Sequence, residues 1–359
     1  MALHTATAVI DLQALSNNYR IIQAMAPQSK MLAVLKANGY GHGLERIAKA
    51  LPNADAFGVA RIDEALALRA AGIVKPIVLL EGFFAEQDIA TLAANNLETI
   101  VHNEQQLSAL VNAKLATPLK VWLKIDTGMH RLGINPEQLA HFYQMLSQSS
   151  NVQQPVVLMS HLGCADEKDS PETNKQIALF EQLTADLSVE KSLANSAGVL
   201  LWPRSHYQWI RPGLLLYGVS PLALDIALEG INPVMTLQSS LIAVREIAAG
   251  ETVGYGGAWR SERNTTIGVV AIGYGDGYPR HAPNGTPVLI NGRRLPLIGR
   301  VSMDMITVDL GPQSTDKVGD IATLWGKGLA VAEVADFATS IPYELLCNIS
   351  RRVHIQLAQ

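Results

Sequence analysis

Cysteine is nearly absent from this chain. The two residues, Cys164 and Cys347, stand far apart and form no C-x-x-C pair, which argues against a disulfide framework and against a thiolate zinc site. An excess of positive charge is also missing: 28 lysines and arginines face 32 aspartates and glutamates, a formal net charge of −4. A protein that tracks phosphates needs a basic surface, so no nucleic acid partner is expected. No apolar run approaches the roughly 18–20 residues that span a bilayer, and no membrane association is expected. The opening MALHTATAVIDLQAL has no positive segment followed by an apolar block, so no secretory signal is expected either. Nor is there a G-x-x-x-x-G-K-[ST], a strand followed by G-x-G-x-x-G, an H-E-x-x-H, a G-x-S-x-G or a carboxylate-rich metal spacing. P-loop, dinucleotide, metallohydrolase and serine-hydrolase readings therefore find no support, and no metal is expected. What is present is apolar: 48% hydrophobic and 17% charged residues over 359 positions, enough for about two domains of roughly 150 residues. These bounds describe a soluble, cytoplasmic, two-domain globular protein.

Up to about residue 230 two kinds of segment alternate. Apolar, β-branched runs occur at KMLAVLK (30–36), ADAFGVA (54–60), PIVLLE (76–81), ETIVH (98–102), LKVWLKID (119–126) and PVVLMSHL (155–162). Between them lie stretches of helical spacing such as IDEALALRAAG, NEQQLSALVNA and KQIALFEQLTADL. SLANS (192–196) and YQWIRPG (207–213) are candidates for strands seven and eight. Alternating βα units imply a parallel sheet clothed in helices, and eight of them suggest a closed (β/α)8 TIM-like barrel; with the last two units weak, a doubly wound open sheet stays open as an alternative. From about residue 232 the pattern becomes strand-like, with Asn291-Gly292 a hairpin signal between VLI and RRLPLI. The expected division is a barrel over 1–231 and a mainly antiparallel β domain over 232–359, the first few residues being available to pair with the second domain.

In a βα barrel the chemistry sits at the C-terminal ends of the strands. Lys36 closes MLAVLK and precedes the glycine-rich ANGYGHG; Arg131 ends KIDTGMHR; His161 ends VVLMSH; Asn195 and Ser196 open NSAG; Arg211 lies in IRPG. Each alone has an ordinary reading: a solvated lysine, a hydrogen-bonded core histidine, surface arginines, a helix N-cap. Together on one rim they suit a lysine that forms a Schiff base and arginines that hold anionic groups. The bottom-up reading is a barrel enzyme with a lysine Schiff base and at least one bound phosphate, for which pyridoxal phosphate or an aldolase-type lysine both fit. In the β half, Tyr255 stands among glycines in VGYGG, which exposes its ring, and an aromatic turn residue is the ordinary reading.

The segments AVLKANGYGHG (33–43), KIDTGMHRLG (124–133), SHLGCAD (160–166), NSAG (195–198), IRPGLLLYG (210–218), VGYGG (253–257), GYGDGYPR (273–280), GRVSMDM (299–305) and PYELLCNIS (342–350) closely resemble the alanine racemase family, in order and over essentially the whole chain. The resemblance implies an N-terminal (β/α)8 barrel, a C-terminal β domain, a head-to-tail homodimer with shared active sites and pyridoxal 5'-phosphate as cofactor. It implies that Lys36 would carry the cofactor and act as one acid/base, and that Tyr255 from the partner subunit would be the other. His161 would tune that tyrosine while touching Arg211, which would face the pyridine nitrogen. Tyr40, Asn195, Ser196, Gly213, Leu214 and Tyr343 would complete the cofactor site. Arg131, Met303 and Asp304 would meet the substrate, Lys124, which this family can carry as a carbamate, would orient Arg131, and Asp166, Tyr274 and Arg280 would line the entrance. The implied reaction is interconversion of L- and D-alanine, for peptidoglycan precursor supply or for alanine catabolism. Three alternatives stand beside it: a broad-specificity amino-acid racemase, disfavoured by the lack of an export signal; a pyridoxal-phosphate decarboxylase on the same scaffold, disfavoured by Tyr255 and the SMD motif; and a non-enzymatic cofactor carrier, disfavoured by the β domain.

Overall fold

A computed structural model describes residues 5–222 and 228–358. The chain divides into two compact units, one formed chiefly by Asn18–Leu216 and the other by the residues up to Asn17, Tyr217–Ser220 and the C-terminal segment. Residues 217–220 and 228–231, which lie on the N-terminal side of the expected boundary at 231/232, thus fold with the β unit and not with the barrel.

The larger unit is a closed barrel of parallel strands: β2 (Lys30–Val34), β3 (Ala56–Val59), β4 (Ile77–Leu79), β5 (Glu98–Val101), β6 (Leu119–Lys124), β7 (Val152–Met159), β8 (Lys191–Ser192) and β9 (Trp209–Ile210), with β1 reserved for Thr7–Ile10 of the other unit. Closure is made by β9 on β2, with Lys30 opposite Trp209 and Met31 opposite Ile210, which removes the open-sheet alternative. The strands read as continuous apolar runs because both faces are covered, one by the barrel interior and one by helices. Met31, Leu32, Phe57, Ile77, Ile100 and Leu158 are completely buried. Gly58 is small out of necessity, since a Cβ there would lie 2.4 Å from Leu32 Cδ2. Inside, Trp122 and Trp209 meet edge to face at 5.3 Å. Their indole N–H groups donate to Glu98 and Glu190 at 2.7 Å each, so the buried rings keep their polar atoms satisfied.

The last two strands are shorter than their sequence segments. After Ser192 the chain turns, because Asn195 caps the helix Ser196–Leu201, its Oδ1 accepting from Gly198 N at 2.9 Å. After Ile210 comes Arg211 and then Pro212, which has no N–H to offer a ladder.

In the second unit β1 pairs antiparallel with β10 (Met235–Ile247) and parallel with β18 (His354–Leu357). The remaining strands are β11 (Thr252–Val253), β12 (Trp259–Arg260), β13 (Thr265–Val270), β14 (Pro287–Ile290), β15 (Arg293–Ile298), β16 (Ile306–Gly311) and β17 (Ile321–Trp325). The main sheet runs β13-β16-β15-β14-β17-β10-β1-β18, and an additional β13–β10 pairing closes six of these strands into a ring. The expected hairpin at Asn291-Gly292 joins β14 to β15 with Ile290 opposite Arg293. Both turn residues have positive φ, 49° and 76°, as a type I′ turn demands.

Candidate active site

Strand direction assembles the barrel site. Lys36 follows β2, Lys124 ends β6, Arg131 sits in the loop after it, His161 and Asp166 follow β7, Asn195 and Ser196 follow β8, and Arg211 follows β9. All therefore belong to the C-terminal rim of one parallel barrel.

The turn after Lys36 is conformationally unusual. Ala37, Asn38, Gly39, Tyr40 and Gly41 all have positive φ, from 50° to 78°. For a residue with a Cβ this region costs roughly 1–2 kcal/mol, so the turn must be held from outside. Its own hydrogen bonds are Gly39 N to Leu35 O (2.7 Å), Gly41 N to Ala37 O (3.0 Å) and Gly43 N to Asn38 O (2.9 Å). The Asn38 side chain adds an acceptor for Leu44 N at 2.9 Å. Tyr40 is driven inward by this geometry and is buried. Its hydroxyl reaches the backbone at Gly213, where a Cβ would lie 2.4 Å from the phenol oxygen. Ser196, also buried, accepts from Gly213 N (2.9 Å) and Leu215 N (3.3 Å), which ties the β8 and β9 loops together.

Arg211, like Lys124, is a buried cation of the mouth. Its guanidinium donates to Ser192 Oγ (2.6 Å), Ser160 O (2.7 Å), Leu193 O (3.3 Å) and His161 Nδ1 (3.2 Å). Burial pulls its pKa down to about 10, which leaves it charged at neutral pH. Since an arginine N–H can only donate, His161 Nδ1 is the acceptor and the ring proton belongs on Nε2. Burial, then the positive charges of Arg211, Lys124, Arg131 and Lys36, hold His161 well below the usual histidine range. Lys124 is pushed down to about 8, first by burial and then by Arg211, Arg131 and Lys36, with Glu81 opposing. One mouth thus gathers a cluster of mutually repelling cations, an arrangement suited to an anionic ligand.

Arg131 is exposed, on a loop whose ends are pinned. Asp126 Oδ1 accepts from Gly128 N (2.9 Å) and His130 N (3.1 Å). Ile134 N returns to Lys124 O at 2.9 Å and Asp126 N to Ile134 O at 3.0 Å. Asn195 spends its amide on the backbone, capping the Ser196 helix and donating to Leu162 O at 3.2 Å, so its place is to hold the Ser196 turn. Asp166 is exposed.

The other expected residues lie in the β unit. Tyr255 begins a short turn flanked by glycines of positive φ (Gly254, Gly256 and Gly257), and it is 70% exposed. Gly254 is packed so closely that a Cβ would stand 3.1 Å from Arg300 N, at the start of the segment that carries Met303 and Asp304. Met303 is 53% exposed. Gly275 N donates to Met303 O (2.8 Å) and Tyr274 N to Ser302 O (3.1 Å), joining the Tyr274 turn to that segment. Arg352 pairs with Asp304 (2.7 Å) and Asp276 (3.2 Å) and locks the same two loops. Tyr274 and Arg280 line a cavity of about 270 Å³ with Glu344, the neighbour of Tyr343. Tyr274, Met303, Met305 and Tyr343 are all more than a third exposed, an unusual density of large apolar surface for one unit.

Four supporting side chains went unnoticed in the sequence. Ser192 and Thr127 bond to Arg211 and Ser160 (2.6 and 2.8 Å). The buried Gln176 donates to His161 O (3.0 Å) and accepts from Gly163 N (2.9 Å). Glu64 accepts from Ala37 N at 2.7 Å. The only signal available was position: each lies near a strand end or in the first turns of the following helix.

Comparison with known proteins accounts for nearly all of the chain. The alanine racemase N-terminal domain family matches residues 10–221 and the alanine racemase C-terminal domain family residues 234–357. A relative named alanine racemase, from Vibrio atlanticus (strain LGP32), is 59% identical over 355 residues, covering 99% of each chain. The crystal structure of biosynthetic alanine racemase from Pseudomonas aeruginosa superposes with a TM-score of 0.96 at 44% identity, covering 99% of this chain and 100% of that one. Alanine racemase from Bartonella henselae, solved with covalently bound pyridoxal phosphate, gives 0.90 at 30% identity over 99% of both chains. The chain belongs to the alanine racemase family.

Proposed function

We propose that the protein interconverts L- and D-alanine with pyridoxal 5'-phosphate, as a homodimer whose active sites combine two subunits. The observation that carries this reading is the barrel mouth, where a strand-end lysine, a buried arginine and a neutral histidine stand together in a chain of this family.

The residues present fit the cofactor. Lys36 offers an amine to an aldehyde. Arg211 would offer a fixed positive charge to a ring nitrogen, and because it keeps its proton it would have none to pass to that nitrogen. The small-residue corner where Tyr40 meets Gly213, with Ser196 beside it and Leu214 and Asn195 adjoining, suits a phosphate. Bound there, the cofactor supplies an electron-withdrawing ring that eases loss of the substrate's α-proton.

Racemisation takes a proton from one face of the α-carbon and returns one to the other. Lys36 works on one face and Tyr255 of the partner subunit on the other. His161, neutral and bearing its proton on Nε2, would donate a hydrogen bond to this tyrosine's oxygen. Arg131 and the backbone N–H of the partner subunit's Met303 hold the substrate carboxylate, with the partner subunit's Asp304 fixing that loop. Lys124, with its lowered pKa, carries enough free amine to add carbon dioxide; the neutral amine forms an N–C bond and releases one proton, which puts an anion beside Arg131. Tyr274 and Arg280, which line one cavity of the β unit, would narrow the entrance and favour a methyl side chain. The exposed Tyr255, Tyr274, Met303 and Met305 are the surface a second copy covers. Among the described residues no helix is long and apolar enough to cross a membrane. Cys164 and Cys347 form no disulfide, which suits action in the reducing cytoplasm.

Subunit complementation tests the shared site. Lys36→Ala and Tyr255→Phe are each expected to be nearly inactive, and after subunit exchange the mixture should regain roughly a quarter of wild-type activity, because half of the dimers then hold one intact site. No recovery in a mixture shown to contain hybrids would exclude it.

A further inference from the structure

Lys36 is held in place from both sides by the neighbouring strand. Just upstream, Leu35 N donates to Gly58 O at 2.8 Å in β3. Just downstream, Ala37 N donates to Glu64 Oε1 at 2.7 Å, and Asn38 N reaches the same oxygen at 3.4 Å. The second oxygen, Oε2, accepts from Ala60 N (2.9 Å) and Arg61 N (3.2 Å), at the end of β3. One carboxylate therefore ties the residue that follows Lys36 to the adjacent strand end. Glu64 is the third residue of the helix Ile62–Ala70, where the helix N-terminus favours its negative charge.

We infer that Glu64 is the positioning residue that sets where Lys36 stands, an inference that rests on the reading of Lys36 as the cofactor-bearing lysine. The residues from Ala37 to Gly41 are all in the left-handed region, so the turn does not hold itself as an ordinary turn would. Both oxygens are committed as acceptors toward opposite loops. A glutamine of the same length would present an amide NH2 to one of the two pairs of N–H groups, and an aspartate is one methylene too short to serve both. Release of the Ala37 end would let the Lys36 backbone drift, and a displacement of about 1 Å at a reacting group costs on the order of 100-fold in rate.

The test compares Glu64→Gln and Glu64→Asp with Asp63→Asn, which alters an acidic residue of the same helical turn, all as holoenzymes. For both Glu64 variants, exchange of the Ala37 and Asn38 amides should accelerate by about tenfold or more. Their kcat should fall by about 10- to 100-fold in both directions, with KM for alanine within about threefold, because the substrate's carboxylate is held by another loop. Asp63→Asn should match wild type in all three readouts. Unchanged amide exchange at 37 and 38 in Glu64→Gln would overturn the inference, as would a loss of kcat accompanied by equally faster exchange throughout the barrel. Borohydride reduction of the wild-type holoenzyme and peptide mapping should place the cofactor on Lys36. Label on another lysine would overturn the Lys36 reading and the catalytic consequence with it, while the amide exchange would still report whether Glu64 holds the turn.

Discussion

Lys124 makes a quantitative statement about stability. Its amine is buried in the barrel mouth and its pKa is pushed from 10.5 to about 8, by burial first and by Arg211, Arg131 and Lys36 after it. The folded state thus disfavours the charged form. Between pH 8 and 10.5 the unfolded chain binds more protons at this position than the folded one, so stability rises with pH across that window. Below pH 8 the cost is fully present, and two and a half pKa units correspond to roughly 3 kcal/mol. From pH 7 to pH 9 this one group should restore roughly 1–1.5 kcal/mol. Lys124→Met keeps a long apolar stem and removes the charge. In buffers free of carbon dioxide, the variant should be more stable than wild type at pH 7 by roughly 1–3 kcal/mol, with the difference shrinking steadily toward pH 10. Urea unfolding of the cofactor-free protein at several pH values measures this directly. Because the same lysine is proposed to orient Arg131, the variant should gain stability while losing activity. A variant less stable than wild type at pH 7, or a stability difference that does not change with pH, would refute the reasoning.

Two further predictions address the β unit and the second base. Gly218 has a φ of 80°, and a Cβ there would lie 1.8 Å from Asn232 O; Gly218→Ala should cost roughly 3 kcal/mol or more. Gly250→Ala, at a φ of 91° but facing open space, should cost only the backbone term of roughly 1–2 kcal/mol, and urea midpoints should separate the two. Tyr255→Phe should slow release of an isotopic label from the α-carbon of L-alanine far more than from D-alanine, and equal slowing of both would contradict the assignment of one base to each face.

Legibility followed burial. The first six barrel strands announced themselves because a parallel strand covered on both faces must be apolar throughout, as LAV in β2 and IVL in β4 are. Strands β8 and β9, at two residues each, left only the weak signals SLANS and YQWIRPG. Asn291-Gly292 was readable because a two-residue hairpin selects those residue types. The turn after Lys36 was half readable: Asn38, Gly39 and Gly41 are residue types that accept positive φ, but Ala37 and Tyr40 adopt it without being chosen for it. Its support comes from Glu64, which reads in sequence as an ordinary helix-start acid and acts on backbone N–H groups 26 and 27 residues away. Arg211 was singled out by its motif, yet most of its bonds go to Ser192 Oγ and to the carbonyls of Ser160 and Leu193, partners that carry no residue-type signal.

The central claim is two bases working on opposite faces of one α-carbon, and isotope entry during turnover tests it most directly. The holoenzyme is incubated with L-alanine in heavy water, and alanine is then separated by chirality and weighed. The account predicts D-alanine carrying deuterium at the α-carbon. Deuterium confined to L-alanine, with no D-alanine formed, would contradict it, and so would the absence of any exchange.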